Sequence, residues 1–190
     1  MTIIHNAVVD TILARRSVRA FQRDRQLTEA ELETLLACGF AAPSGMNVQS
    51  WHLCVVQDRA LLEEIGDGFV RMVKDRPNLP PVMVERLKDP DYQVFFHAPT
   101  DILVCCETSR GPTNSAHLAE NIVLAAHSLG LATCFIGGVL DYLRSPEGAP
   151  LLARLGIPAG YEPMYFLSVG VPAESPDARP RDAGKFNRIL

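Results

Sequence analysis

Apolar positions along the 190 residues recur at two spacings, one helical and one strand-like, and the switching between them lays out the chain. Residues 6–16 predict a helix, with Val9, Ile12 and Leu13 apolar at near-helical intervals. A second helix is better marked. Thr28 can cap it, Glu31 three residues on completes a capping box, and Leu32, Leu35, Leu36 and Phe40 form an apolar face that ends at Ala42-Pro43. Residues 52–57 (HLCVVQ) predict a buried strand, followed by a short helix from Asp58. The stretch 66–99 carries Pro77, Pro80, Pro81, Pro90 and Pro99, with helical fragments between them. It is expected to be a variable, partly helical excursion, a lid or substrate-side insert.

Residues 101–107 (DILVCCE) predict a second strand, and residues 114–129 a long helix. On that helix Leu118, Asn121, Ile122, Ala125 and Leu129 recur at helical spacing, Gly130 is placed to end it, and Leu131 is the hydrophobic follow-on. Residues 132–136 predict a third strand running into Gly137-Gly138, a helix near 146–155 stops at Gly156, and residues 164–171 predict a fourth strand. The tail, 172–190, is Pro-rich with few apolar anchors before Phe186 and Ile189, and reads as an arm that packs on something else, often a partner subunit. Strands alternate with helices, and no repeat or linker divides the chain. One layered α/β or α+β domain over residues 1–190 is expected.

Composition narrows the function. Apolar residues make up 47% and charged residues 21%, which suits an ordinary globular chain. A net charge of −4 argues against a general nucleic-acid binder, which needs a basic face, but leaves room for a local basic pocket. The first ten residues lack a basic leader region, and no apolar run approaches the length of a membrane span; a cytoplasmic protein without membrane attachment is expected. Cys38, Cys54, Cys105, Cys106 and Cys134 match no common zinc or redox spacing and read as small buried hydrophobes. His52, His97, His117 and His127 form no i, i+4 ligand pair, so no metal is expected; His97, just before a strand, is a candidate substrate-side acid.

Four segments can carry chemistry. Arg15-Arg16-Ser17-Val18-Arg19 places three guanidiniums and a hydroxyl within five residues, a donor set suited to a phosphate. Arginines completing a helix dipole would look the same. The loop 42–51 (APSGMNVQSW) offers a hydroxyl and two amides, able to pair with the polar edge of a heteroaromatic ring or simply to turn the chain. Gly137-Gly138 after a strand lets backbone approach a ligand closely, or makes a plain turn. Lys185 and Arg188 in the tail can add two cations to a phosphate, or stay solvated.

Taken together, ARRSVRAF, AAPSGMNVQSW, NIVLAAHSLGLATCFIGG and LGIPAGYEPMYFLSVGVP, in this order, resemble the nitroreductase family of FMN proteins. The likeness runs from about residue 8 to the end, except across 66–99. It implies an α+β fold of three layers, a central mostly antiparallel sheet flanked by helices, in an intertwined homodimer with FMN at the subunit interface. It implies an FMN-dependent oxidoreductase that takes hydride from NADH or NADPH and reduces a small electrophilic substrate by ping-pong turnover, with no catalytic side chain beyond the flavin. Arg15, Arg16, Ser17 and Arg19 would hold the phosphate, ribityl chain and pyrimidine edge. Pro43, Ser44, Asn47 and Gln49 would come from the partner or lie beside the ring. Ile136, Gly137 and Gly138 would lie against the isoalloxazine, and Lys185 and Arg188 would close on the phosphate. Arg71, Lys74 and Asn78 are candidates for a ribityl contact. Relatives on the same scaffold perform dehalogenation, azoline oxidation or flavin fragmentation, and a non-catalytic flavin carrier would share the binding motifs. Two positions depart from the usual pattern: Ser50 stands where the family has Pro, and Asn114 where many members have Asp.

Overall fold

The structure, a computed structural model, describes residues 2–189, so Met1 and Leu190 of the expected single domain lie outside the described residues. Its elements run α1 (Ala7–Ala14), α2 (Glu29–Phe40), a 3-10 turn (Gly45–Asn47), β1 (Trp51–Val56), α3 (Arg59–Lys74), α4 (Pro81–Arg86), β2 (Thr100–Glu107), α5 (Thr113–Ser128), β3 (Ala132–Ile136), α6 (Val139–Leu143), α7 (Ala149–Arg154) and β4 (Tyr161–Gly170). The four strands make one antiparallel sheet in the order β1-β2-β4-β3. Residues on successive positions of a strand face opposite ways, so the sheet buries two apolar faces. One receives Leu103, Cys105, Cys134, Ile136 and Phe166 and is covered by α3, α6 and α7. The other receives Ile102, Val104, Leu167 and Val169 and is covered by α2 and α5. This is the expected three-layer α+β arrangement.

The helix ends follow the expected chemistry. Thr28 accepts from the Glu31 N–H at 3.2 Å, and the Glu31 carboxylate accepts from the Thr28 N–H at 2.7 Å. Arg25 beside Glu31, with that backbone bond, holds its carboxyl down to about 2. At the end of α5, Gly130 takes φ +76° and Leu131 N–H returns to the Ala126 carbonyl at 2.9 Å, the bond that closes the helix around a left-handed glycine.

Three expectations change. The helix after Asp58 is long, not short. It continues through Gly66 and Gly68 to Lys74, because those glycines are notches: a Cβ at Gly68 would fall 2.0 Å from the Tyr142 ring, and one at Gly66 would fall 2.7 Å from the Gln93 amide. On α2 the buried face is Leu35 and Gly39, while Phe40 is half exposed. The reason is again close approach, since Ile122 of α5 sits where a Gly39 side chain would be. After β3 the chain forms α6, and the following helix, α7, is shorter than the expected 146–155. Trp51 is buried, and all five cysteines are free thiols. Among the described residues no helix is long and apolar enough to cross a membrane, and no cluster of side chains could hold a metal ion.

Candidate functional site

The arginine segment begins where α1 stops. Arg15 leaves the helix at ψ 138°, and the chain then runs extended along the outer edge of β3. Val18 N–H donates to the Thr133 carbonyl at 3.1 Å, and Ala173 N–H donates to the Ala20 carbonyl at 2.8 Å. Val18 and Phe21 are buried and act as pegs, which leaves Arg15, Arg16, Ser17 and Arg19 half-buried along the edge. Arg15 Nε lies 3.9 Å from Glu120 of α5. Arg16 donates to the carbonyls of Leu13 at 2.7 Å and of Arg15 at 2.8 Å, so its fork closes the end of α1, the dipole role that sequence had left open. The Arg19 guanidinium donates to the Ser17 carbonyl at 3.3 Å, and its backbone N–H donates to the Glu174 carboxylate.

The electrostatics bear the mark of these cations. Burial, with Arg15 and Arg16 nearby, pushes His127 below the ordinary histidine range. Burial pushes the Cys134 thiol up, while Arg19 and Arg86 pull against it. Tyr165, half-buried with its ring edge-on to Phe135 at 5.0 Å, is pushed up to about 12 by burial, then by Glu120 and Cys106.

At the end of β3, Ile136 is buried but Gly137 looks onto open space: a Cβ built there meets nothing within 4 Å. Gly137 is thus not a packing requirement, unlike Gly68. Beside the arginine segment lies a cavity of about 230 Å³ lined by Arg19, Arg23, Asp91, Tyr92, Phe96 and His97, among others. Sequence reasoning singled out His97 but missed Asp91, Tyr92 and Phe96. Arg71 instead pairs with Glu147 at 3.2 Å, and Lys74 and Asn78 line a different hollow with Leu79 and Val84. The cavity wall is held by Gln93, whose buried amide donates to the Leu62 carbonyl at 3.2 Å and accepts from Phe95 N–H at 2.6 Å. Phe96 and His97 then turn in left-handed backbone at φ 54° and 55°. A DPDYQ run with no apolar period gave little sign of this; two polar residues flanking an aromatic just before a strand are the signal available. His97, the candidate acid, has its Nε2 2.8 Å from the Asp91 carbonyl.

The Nitroreductase family model matches residues 12–171, most of the chain. The chain belongs to the nitroreductase family. It is 31% identical over 180 residues to a Methanothermobacter thermautotrophicus protein named as an NADH dehydrogenase/NAD(P)H nitroreductase, covering 90% of this chain and 81% of that one. It is 30% identical over 171 residues to a 5,6-dimethylbenzimidazole synthase of Rhodospirillum rubrum, covering 84% and 79%. Among solved structures it is similar to the FMN-bound nitroreductase of Bacteroides fragilis, with a TM-score of 0.84, 31% identity, and 98% and 100% of the two chains covered.

Within this chain the remaining candidates stand apart from the arginine segment. The loop carrying Pro43, Ser44, Asn47 and Gln49 leads into β1, at the opposite edge of the sheet from β3. Three strand spacings separate those edges, about 14 Å at ~4.8 Å each. The Asn47 and Gln49 side chains are exposed and make no hydrogen bond among the described residues, while Ser44 Oγ accepts from Gln49 N–H at 3.0 Å. Lys185 and Arg188 lie on the exposed tail, where Lys185 is 3.9 Å from Asp182.

Proposed function

We propose that this protein reduces a small electrophilic acceptor, such as a nitroaromatic, a quinone or an enone, by ping-pong turnover at a flavin held between two copies of the chain. The broader class follows from family membership: the enzyme is an FMN-dependent NAD(P)H oxidoreductase. The observation that carries the site is the half-buried row of Arg15, Ser17 and Arg19 along the edge of β3, beside the open backbone of Gly137. The donor set fits FMN. Arg15 with the arm's Lys185 and Arg188 suits the phosphate, and Arg16 adds charge while closing α1. Ser17 suits the ribityl chain, and Arg19 the electron-rich pyrimidine edge. The open side of Gly137, with Ile136 and Gly138 flanking it, suits a flat ring. Bound FMN supplies the two-electron carrier, and the protein's part is binding, orientation and electrostatics.

The partner follows from the separation of the two site edges. A second copy, related by a two-fold axis, can bring Pro43, Ser44, Asn47 and Gln49 to the arginine edge of the first. An exposed apolar surface supports this reading. No residue of α1 is buried, Val8 and Ile12 are exposed, and an apolar groove of about 490 Å³ lies between α1, α2 and α5. Use of NADH or NADPH as reductant is consistent with a cytoplasmic setting, which is part of this proposal.

The test is direct. Purified protein should be yellow and dimeric, and NADH or NADPH should bleach it fully before any oxidant is added. Reduction that waits for the second substrate would overturn ping-pong turnover, and a stable flavin colour under both nucleotides would favour a carrier. Arg15→Ala and Arg19→Ala should each weaken FMN binding about ten- to a hundredfold, since a charge-assisted bond contributes about 1.5–3 kcal/mol. An oxidant panel then fixes the acceptor, which the synthase named among the relatives keeps open.

A further inference from the structure

The loop before β1 holds more left-handed backbone than its composition calls for. Met46, Asn47 and Gln49 sit at φ 54°, 55° and 48°, and none of them is glycine. Such backbone persists only where the surroundings fix it. The loop's own bonds close it on itself: Asn47 N–H to the Ser44 carbonyl at 2.9 Å, Val48 N–H to Gly45 at 3.2 Å, and Gln49 N–H to Ser44 Oγ at 3.0 Å.

Its anchor to the rest of the molecule is the next residue. Ser50 is 1% exposed. Its hydroxyl accepts from Asn114 Nδ2 at 2.9 Å, and its carbonyl accepts from Glu107 N–H at 3.1 Å and Ser115 Oγ at 3.4 Å. Ser115 Oγ also lies 3.0 Å from the Cys105 carbonyl. Asn114 is in the first turn of α5, the helix that also carries Glu120 facing Arg15 and Asn121, whose amide donates to the Cys38 carbonyl at 3.0 Å. One rigid helix therefore touches the loop, the end of α2 and the arginine segment. Ser50 and Asn114 are also the two positions at which the chain departs from the pattern it resembles, and in the structure the departures meet.

We infer that Ser50 and Asn114 are a positioning pair for flavin binding. Their hydrogen bond holds the 44–49 loop in its left-handed form and so presents Asn47 and Gln49 to the cofactor. This rests on the reading that the loop meets the flavin. The pair acts through the loop and touches no reacting atom.

The test uses the purified holoprotein and FMN itself, reading the FMN dissociation constant and the visible circular dichroism of bound flavin, with the melting temperature alongside. Asn114→Ala and Ser50→Ala should each weaken FMN binding about two- to tenfold, the size of one neutral hydrogen bond, and change the flavin dichroism. Asn114→Asp should rescue: the Ser50 hydroxyl can turn and donate to the carboxylate, which also suits a helix N-terminus. In the Ser50→Ala background Asn114→Asp should behave as Asn114→Ala, and the Ala/Ala double should be no worse than either single. A fall in melting temperature with unchanged FMN affinity and dichroism overturns the proposal, as does Asp behaving like Ala while Ser50 is present. Should Asn114→Ala not yield folded protein, Ser50→Ala removes the same bond from the other side. Asn47→Ala and Gln49→Ala separate the two levels. If both leave FMN affinity unchanged, the loop does not meet the flavin and the underlying reading falls. If they weaken it while the Ser50 and Asn114 variants do not, only the positioning role falls.

Discussion

The two faces of the sheet are both buried, but they are closed by different means. On the α2/α5 face, local rules account for much of the structure, a capping box and a glycine-terminated helix, with one distant fit where Gly39 lets α2 approach Ile122. On the α3/α6 face, distant residues fit into one another. Gly66 and Gly68 are notches for Gln93 and Tyr142, which lie 27 and 74 positions further on (93−66 and 142−68), and a buried amide braces the strained turn at Phe96-His97. The cavity beside Arg19 is walled by that second kind of structure. Substitutions at the notches and the brace should therefore cost more than loss of a helix terminator on the other face.

The largest effect is expected at Gly68. A methyl there would lie 2.0 Å from a Tyr142 ring that is 2% exposed, so the buried ring must shift. Overpacking of this kind costs about 1–3 kcal/mol or more, and at roughly 2–4 °C per kcal/mol for a chain of this size the melting temperature of Gly68→Ala should fall by up to about 12 °C. Gly137→Ala is the counterpart. Its Cβ meets nothing, so thermal stability should hold while FMN affinity drops. If both variants lose stability equally, the division between a packing glycine and a site glycine is wrong.

Next comes the brace. Gln93→Leu leaves the buried Phe95 N–H without its 2.6 Å acceptor. An unpaired buried donor costs about 1–3 kcal/mol, which a urea titration would show as a lower midpoint. Smaller again is Gly130→Ala, on the other face. At φ +76° an alanine is strained by about 1 kcal/mol, and the melting temperature should fall by about 2–4 °C. A loss at Gly130 exceeding that at Gly68 would break the comparison.

The same contrast sets what the sequence makes legible. The capping box at Thr28-Glu31, the end of α5 at Gly130-Leu131 and all four strands can be read because their signals lie within a few residues of the structure they make. The length of α3 cannot. Gly66 and Gly68 look like helix breakers until Gln93 and Tyr142 are seen to occupy the space. Phe40 misleads in the opposite sense, since hydrophobic spacing alone does not reveal that Gly39 faces the neighbouring helix. In the candidate site, Arg15, Ser17 and Arg19 are legible as a donor set, and the chain brings them to one edge. Arg16 is legible as a cation, but its commitment to the Leu13 and Arg15 carbonyls appears only once α1 is seen to stop at Ala14. The lining supplied by Asp91 to His97 has no period and no motif, because it is held by single hydrogen bonds rather than by a repeated face.

The smallest effect, close to nothing in acid, belongs to Asp101, on the α3/α6 face of the sheet. Asp101 is fully buried; Ser168 Oγ donates to its Oδ1 at 2.6 Å, and its Oδ2 has no partner among the described residues. Burial pushes its carboxyl well above the ordinary aspartate range, and the Ser168 bond only partly opposes that. For an acid whose folded value is raised, the folded state holds its proton when the unfolded chain has released it. Its contribution to stability is then fully present below the ordinary aspartate range and is lost as pH rises through the folded value. The amide introduced by Asp101→Asn would keep an oxygen acceptor for Ser168 and would not titrate. Urea midpoints of the two proteins should therefore lie close together in acid and diverge toward higher pH, with Asp101→Asn declining less. Parallel curves across that range would mean that Asp101 is charged in the folded protein, and the α3/α6 face would then hold an ion in place of a neutral acid.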